Sequence, residues 1–170
     1  MRTKNLTVLS ILCALALVIG FFESFIPVMG VIPGGKIGLS NCVTMVVFLW
    51  FGLGETLAFG VLRSVLTAIF FGGVSSLFYS LPGTVFSVFS MFFAKKLLKG
   101  KVSAIGLSII GAFFFNAGQI LSATFVLRSI HILRYFPVLG ILSCFSGLAT
   151  GYIGKLLTKH LIFKNNGMEK

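Results

Sequence analysis

Aspartate is missing from this 170-residue chain, and only three acids occur: Glu23, Glu55 and Glu169. Magnesium-dependent chemistry on a diphosphate needs clustered carboxylate oxygens around the metal, so prenyl-chain elongation by this chain alone has no ligands. A phosphate-binding loop is missing too. In GYIGKLL, Gly151 to Leu157, the Gly154-Lys155 pair lacks the following Ser or Thr and the glycine five positions earlier. ATP hydrolysis by that route is excluded. Charge of either sign is scarce, at 10% of residues. The three cysteines, Cys13, Cys42 and Cys144, all fall in apolar segments, where they read as packing residues rather than a disulfide or metal set. No enzymatic activity, metal or cofactor is expected.

What is present is apolar. Hydrophobic residues make up 57% of the chain and the mean hydropathy is +1.08, which implies a membrane protein. A hydrocarbon core about 30 Å thick takes roughly 20 helical residues per crossing. Division at glycine, proline and charge clusters predicts six spans: Leu6 to Ile26, Leu39 to Leu53, Glu55 to Phe71, Val74 to Ala94, Ser103 to Leu127 and Tyr135 to Leu157. Long, uniformly apolar segments favour helices over the alternating strands of a barrel. The expected fold is a single all-α domain over residues 1–170, a six-helix bundle over 6–157 with a cytoplasmic tail over 158–170. Arg2 and Lys4 ahead of the first apolar run resemble a secretory signal, but five more such runs follow, so that segment is read as a retained span.

Basic residues set the expected orientation. With both termini cytoplasmic, ten of the fourteen basic residues lie inside, among them Lys95, Lys96, Lys99 and Lys101 of KKLLKGK. The net charge of +11 is then accounted for by topology and contact with anionic membrane lipid rather than by nucleic acid, for which no base-stacking platform accompanies the lysines. His131 and His160 fall on opposite sides, which argues against a shared metal or nucleophile-base site.

Four spans carry small or polar residues at steps of three or four: Thr56, Gly60, Arg63 and Thr67; Ser76, Ser80, Gly83, Ser87 and Ser90; Ser108, Ala112, Asn116, Gln119 and Ala123; Ser143, Gly147, Thr150 and Gly154. Each set lies on one helix face, and the serines and glycines suit close helix packing. Pro82 is expected to free a carbonyl that a neighbour or a ligand then satisfies. Arg63, Glu23, Asn116 and Gln119 ask for more than packing, because a mid-span charge costs about 2.5 to 3.5 kcal/mol and normally has a partner. A Glu23–Arg63 ion pair and direct ligand contact both remain open. Arg128 and Arg134 fall at the outer mouth, where snorkelling to headgroups competes with ligand binding.

The stretch GFFESFIPVMGVIPGGKIGLSN, Gly20 to Asn41, interrupts the apolar pattern. Pro27, Pro33, Gly34 and Gly35 make it a poor helix, and irregular backbone at membrane depth needs protein or a cavity around it. It is either a connecting loop or a lid over an outward-facing pocket edged by Lys36 and Asn41. The outer cations and the many phenylalanines suit an anionic, partly apolar small-molecule ligand.

KIGLSN (Lys36 to Asn41), LRSVLTAIFFGGVSSLFYSLPG (Leu62 to Gly83) and NAGQI (Asn116 to Ile120) resemble, in that order, the bacterial Gx transporter family, also named heptaprenyl diphosphate synthase component I. The family pattern has histidine before the last motif, where this chain has Phe115. The resemblance implies a multi-pass protein of the bacterial cell membrane, similar to the substrate-binding S components of energy-coupling factor importers. S components capture a solute from outside and dock on a T component with two ATPase subunits. The candidate substrate-binding residues are Arg63, Asn41, Lys36, Asn116, Gln119, Glu23 and Tyr79, and the resemblance to S components adds Ser10 with Ala14 and Ala16 with Gly20 as small-residue docking positions. The other family name implies a noncatalytic membrane subunit that presents isoprenoid lipid to a soluble prenyl diphosphate synthase; the polar seams, outer cations and intramembrane arginine favour the importer component, which is the expected function.

Overall fold

The structure, a computed structural model, describes residues 3–25, 38–99 and 101–166. Six helices follow one another: α1 (Thr3–Ser24), α2 (Asn41–Phe51), α3 (Leu53–Thr67), α4 (Gly73–Leu97), α5 (Ala104–Val126) and α6 (Phe136–Asn166). A π-helical turn, Ala68–Gly72, extends α3, and a 3-10 turn, Ile130–Tyr135, leads into α6. Among the described residues there is no strand. Five segments are long and apolar enough to cross a membrane: Asn5–Ser24, Leu53–Phe71, Gly73–Leu97, Ala104–Val126 and Ile130–Leu156. The chain is a multi-pass membrane protein on that pattern. α6 continues to Asn166, past the limit at Leu157 that the sequence suggests.

The second expected span, Leu39 to Leu53, is met by the shortest of the six helices. α2 has 11 residues, about 16 Å of helix against a hydrocarbon core of about 30 Å. Eight of the eleven are buried, since α2 packs against α1, α3, α5 and α6 at once. A helix enclosed on all sides needs no polar face, which accounts for its run Val43 to Phe51 with one polar residue, Thr44. Gly52 ends it at φ 90°, a conformation open to glycine and strained for other residues, and α3 starts at the next residue. Both the amide and the hydroxyl of Thr56 donate to the Gly52 carbonyl and fix this reversal.

α4 runs unbroken through Pro82. Proline has no N–H to offer the carbonyl four residues back, and Ser122 Oγ of α5 donates to that Phe78 carbonyl at 2.6 Å instead. The same two helices touch backbone to backbone: a Cβ at Gly118 would stand 2.8 Å from Gly83 Cα and 3.0 Å from the Pro82 carbonyl oxygen. On the other side of α5, Ser108 and Thr150 share a 2.7 Å hydrogen bond with α6. The small-residue faces on α4, α5 and α6 are thus largely consumed by helix packing. Cys13 and Cys42 are buried in the core between α1, α2 and α3, whereas Cys144 is exposed and packs no interior.

Candidate functional site

A carboxylate removed from water needs compensation from partners. Glu23, 2% exposed on the last turn of α1, finds them in the backbone. Its Oε1 accepts from the amides of Gly38 and Leu39, the latter at 3.2 Å, and its Oε2 accepts from the Ser40 amide at 3.3 Å. These amides belong to the turn that opens into α2, whose helix dipole also favours an anion at this end.

Arg63, 3% exposed on α3, is satisfied by neutral oxygens. Nη1 donates to Ser40 Oγ at 2.8 Å, and Nη2 donates to Asn41 Oδ1 at 2.9 Å and to Thr84 Oγ1 at 3.3 Å. Thr84, on α4, also lies 3.2 Å from Ser64 Oγ. Glu23 and Arg63 therefore do not form the direct ion pair that the sequence left open. Residues 38–41 stand between them, with the Ser40 amide on the acid and its hydroxyl on the base. Two opposite charges are held by one short piece of chain, tying α1, α3 and α4 to the start of α2.

Unused hydrogen-bonding capacity lies beside this network. Asn41 Nδ2 and Thr44 Oγ1, one turn apart on α2, are buried without partners. Gly38, at φ 91°, permits the approach around Asn41: a Cβ there would come 2.9 Å from Asn41 Nδ2 and 3.1 Å from the Phe115 ring. The arrangement suits binding and not bond-making. Among the described residues no three metal-binding side chains gather, and the network holds no nucleophile beside a base.

The sequence candidates divide by place. Arg63, Asn41 and Glu23 come together. Gln119 is buried on α5 next to Gly83. Asn116 faces α6, where its Nδ2 donates to Ser143 Oγ at 2.7 Å and to the Leu139 carbonyl at 3.4 Å, leaving Oδ1 unpartnered. Tyr79 packs with Ile120, Ala123, Ile132 and Leu139 in an apolar cluster. Lys36 and the Pro27 to Gly35 stretch lie outside the described residues. Ala16 and Gly20 are buried within the bundle, Gly20 against Thr67, so that pair is occupied internally; Ser10 and Ala14 are exposed along a groove of about 480 Å³ between α1 and α3. Ser40, Thr84 and Thr44 were not singled out in the sequence. Only the adjacency of Ser40 to Asn41, and of Thr84 to the Pro82-Gly83 pair, marks them.

Comparison with curated proteins and with solved structures gives no match. The family model for heptaprenyl diphosphate synthase component I matches residues 12–157, from the third turn of α1 deep into α6, and so the chain belongs to the heptaprenyl diphosphate synthase component I family.

Proposed function

We propose that the chain is a noncatalytic membrane subunit that binds an anionic isoprenoid and serves a soluble prenyl diphosphate synthase. The match across the whole helical bundle carries this reading. A chain without aspartate cannot assemble the magnesium site of the elongation step, so the chemistry falls to a partner and lipid handling to this subunit. In this reading the chain crosses a bacterial cell membrane six times with both termini in the cytoplasm, α2 running inward from the outer end of α1 as a short buried crossing, and Arg63 and Asn41 contact the ligand.

A second reading is favoured by one observation: the Glu23, Ser40 and Arg63 network grips the chain immediately after residues 26–37. A solute arriving from outside and competing for Arg63 or for the amides would release residues 38–41. That behaviour suits the substrate-binding S component of an energy-coupling factor importer, with a T component and two ATPase subunits as partners.

Mass spectrometry of small molecules retained by the purified protein separates the two. An isoprenoid diphosphate supports the synthase subunit; a water-soluble, vitamin-like solute in its place supports the importer component.

A further inference from the structure

The lipid-facing side of α4 and α5 carries a feature that plays no part in the arginine network. Phe86, Phe89, Phe93 and Leu97 form one stripe along α4 and face Ile110 and Phe114 of α5 across a groove of about 680 Å³, a volume typical of ligand sites, which run from about 300 to 1,000 Å³. The stripe is about 16 Å long, half of a hydrocarbon core of about 30 Å, so it covers one leaflet. Its polar member, Ser90, turns its hydroxyl to the Ser87 carbonyl at 2.8 Å and leaves the floor apolar.

The groove ends among cations. Leu97 and Leu98 line its last part, and Lys96, Lys99 and Lys101 flank them in sequence, all exposed. Two backbone bonds fix their placement: the Lys99 amide donates to the Lys96 carbonyl at 3.2 Å and the Lys101 amide to the Leu98 carbonyl at 2.9 Å. Lys99 sits at φ 48°, the helix-ending conformation that glycine or asparagine usually takes. Lys95 is engaged elsewhere, with Nζ 5.4 Å from the centre of the Phe48 ring. No acid occurs in the sequence between Glu55 and Glu169, so no carboxylate from α4, α5 or α6 up to that point balances these charges.

We infer that the α4–α5 groove is a binding site for an isoprenoid diphosphate, with the branched hydrocarbon tail along the phenylalanine stripe and the diphosphate on Lys96, Lys99 and Lys101. An aromatic-walled groove open to the membrane along its length admits an apolar tail sideways from the leaflet. Three uncompensated lysines match a multiply charged headgroup better than the single charge of an ordinary anionic phospholipid. This site rests on the synthase-subunit reading for its biological role, and lies apart from the Arg63 network.

The test uses the full chain in phosphatidylcholine nanodiscs with a photoreactive, fluorescent analogue of geranylgeranyl diphosphate. Labelling is expected within residues 85–98 and 110–114, with unlabelled geranylgeranyl diphosphate competing and phosphatidylglycerol not. Replacing all three lysines (Lys96→Gln, Lys99→Gln, Lys101→Gln) should weaken binding at least tenfold, as should Ala94→Trp, which fills the groove, while Lys155→Gln on α6 leaves it unchanged. Wild-type labelling confined to other segments, equal competition by phosphatidylglycerol, or full affinity in the folded triple variant overturns the site. The same discs are then supplied with a soluble synthase. Groove labelling without enhanced elongation counts against the synthase reading alone, and enhanced elongation with labelling elsewhere counts against the groove alone.

Discussion

Arg63 and Glu23 show what a buried charge discloses at the scale of a residue and what it conceals. Each is costly to bury, which marks both in the sequence, and the structure brings both to the start of α2. Their partners were not legible, because three of Glu23's are backbone amides, which nearly every sequence position possesses and none advertises. Arg63→Gln removes a fork that reaches Ser40, Asn41 and Thr84 and takes away the positive charge that Ser40 links to Glu23. The expected loss of stability is about 1.5 to 3 kcal/mol, the range for a hydrogen bond to a charged group, read by denaturant or thermal unfolding in detergent. Since Ser40 joins the two charges, Glu23→Gln and Arg63→Gln should not be additive. The double variant is expected to lose less than the sum, with a coupling of at least about 0.5 kcal/mol; strict additivity would show that residues 38–41 do not link them.

Helix limits were largely legible at the scale of the element, since apolar runs of bilayer length end at glycine and charge, and α1, α3, α4 and α5 begin and end close to those marks. α2 too lies within the limits its apolar run suggests, but its enclosure by four neighbours was not legible, because that depends on how the other helices dock. Pro82 was visible in sequence as the source of a free carbonyl, whereas its partner Ser122 depends on the way α5 docks. Ser122→Ala should therefore cost about 1 to 3 kcal/mol, the penalty of an acceptor left unsatisfied away from water. In a Pro82→Ala background the backbone amide restored at position 82 can serve the Phe78 carbonyl, and the cost of Ser122→Ala should largely vanish. Equal cost in both backgrounds contradicts this account of α4. Gly118→Ala, pressing on Gly83 backbone, should destabilise by about 1 to 3 kcal/mol, as overpacking does, measured by unfolding in the same detergent.

For the whole molecule, composition told the class: few charges, high hydropathy and no aspartate define a multi-pass membrane protein without the metal ligands of a prenyltransferase. Which binding task it performs was not readable from composition, because both a solute carrier and a lipid-presenting subunit are apolar bundles with a few buried polar groups. The distribution of lysines predicts cytoplasmic termini, and a reporter fused after Lys170 is expected to be active only in the cytoplasm. The most direct measurement of the central claim is chain elongation by the soluble catalytic partner, with and without this protein in nanodiscs and with no ATP present. A severalfold increase in long-chain prenyl diphosphate, absent with empty discs, is the expected result. Unchanged elongation, together with ATP-dependent solute uptake into vesicles once a T component and two ATPases are added, would contradict it.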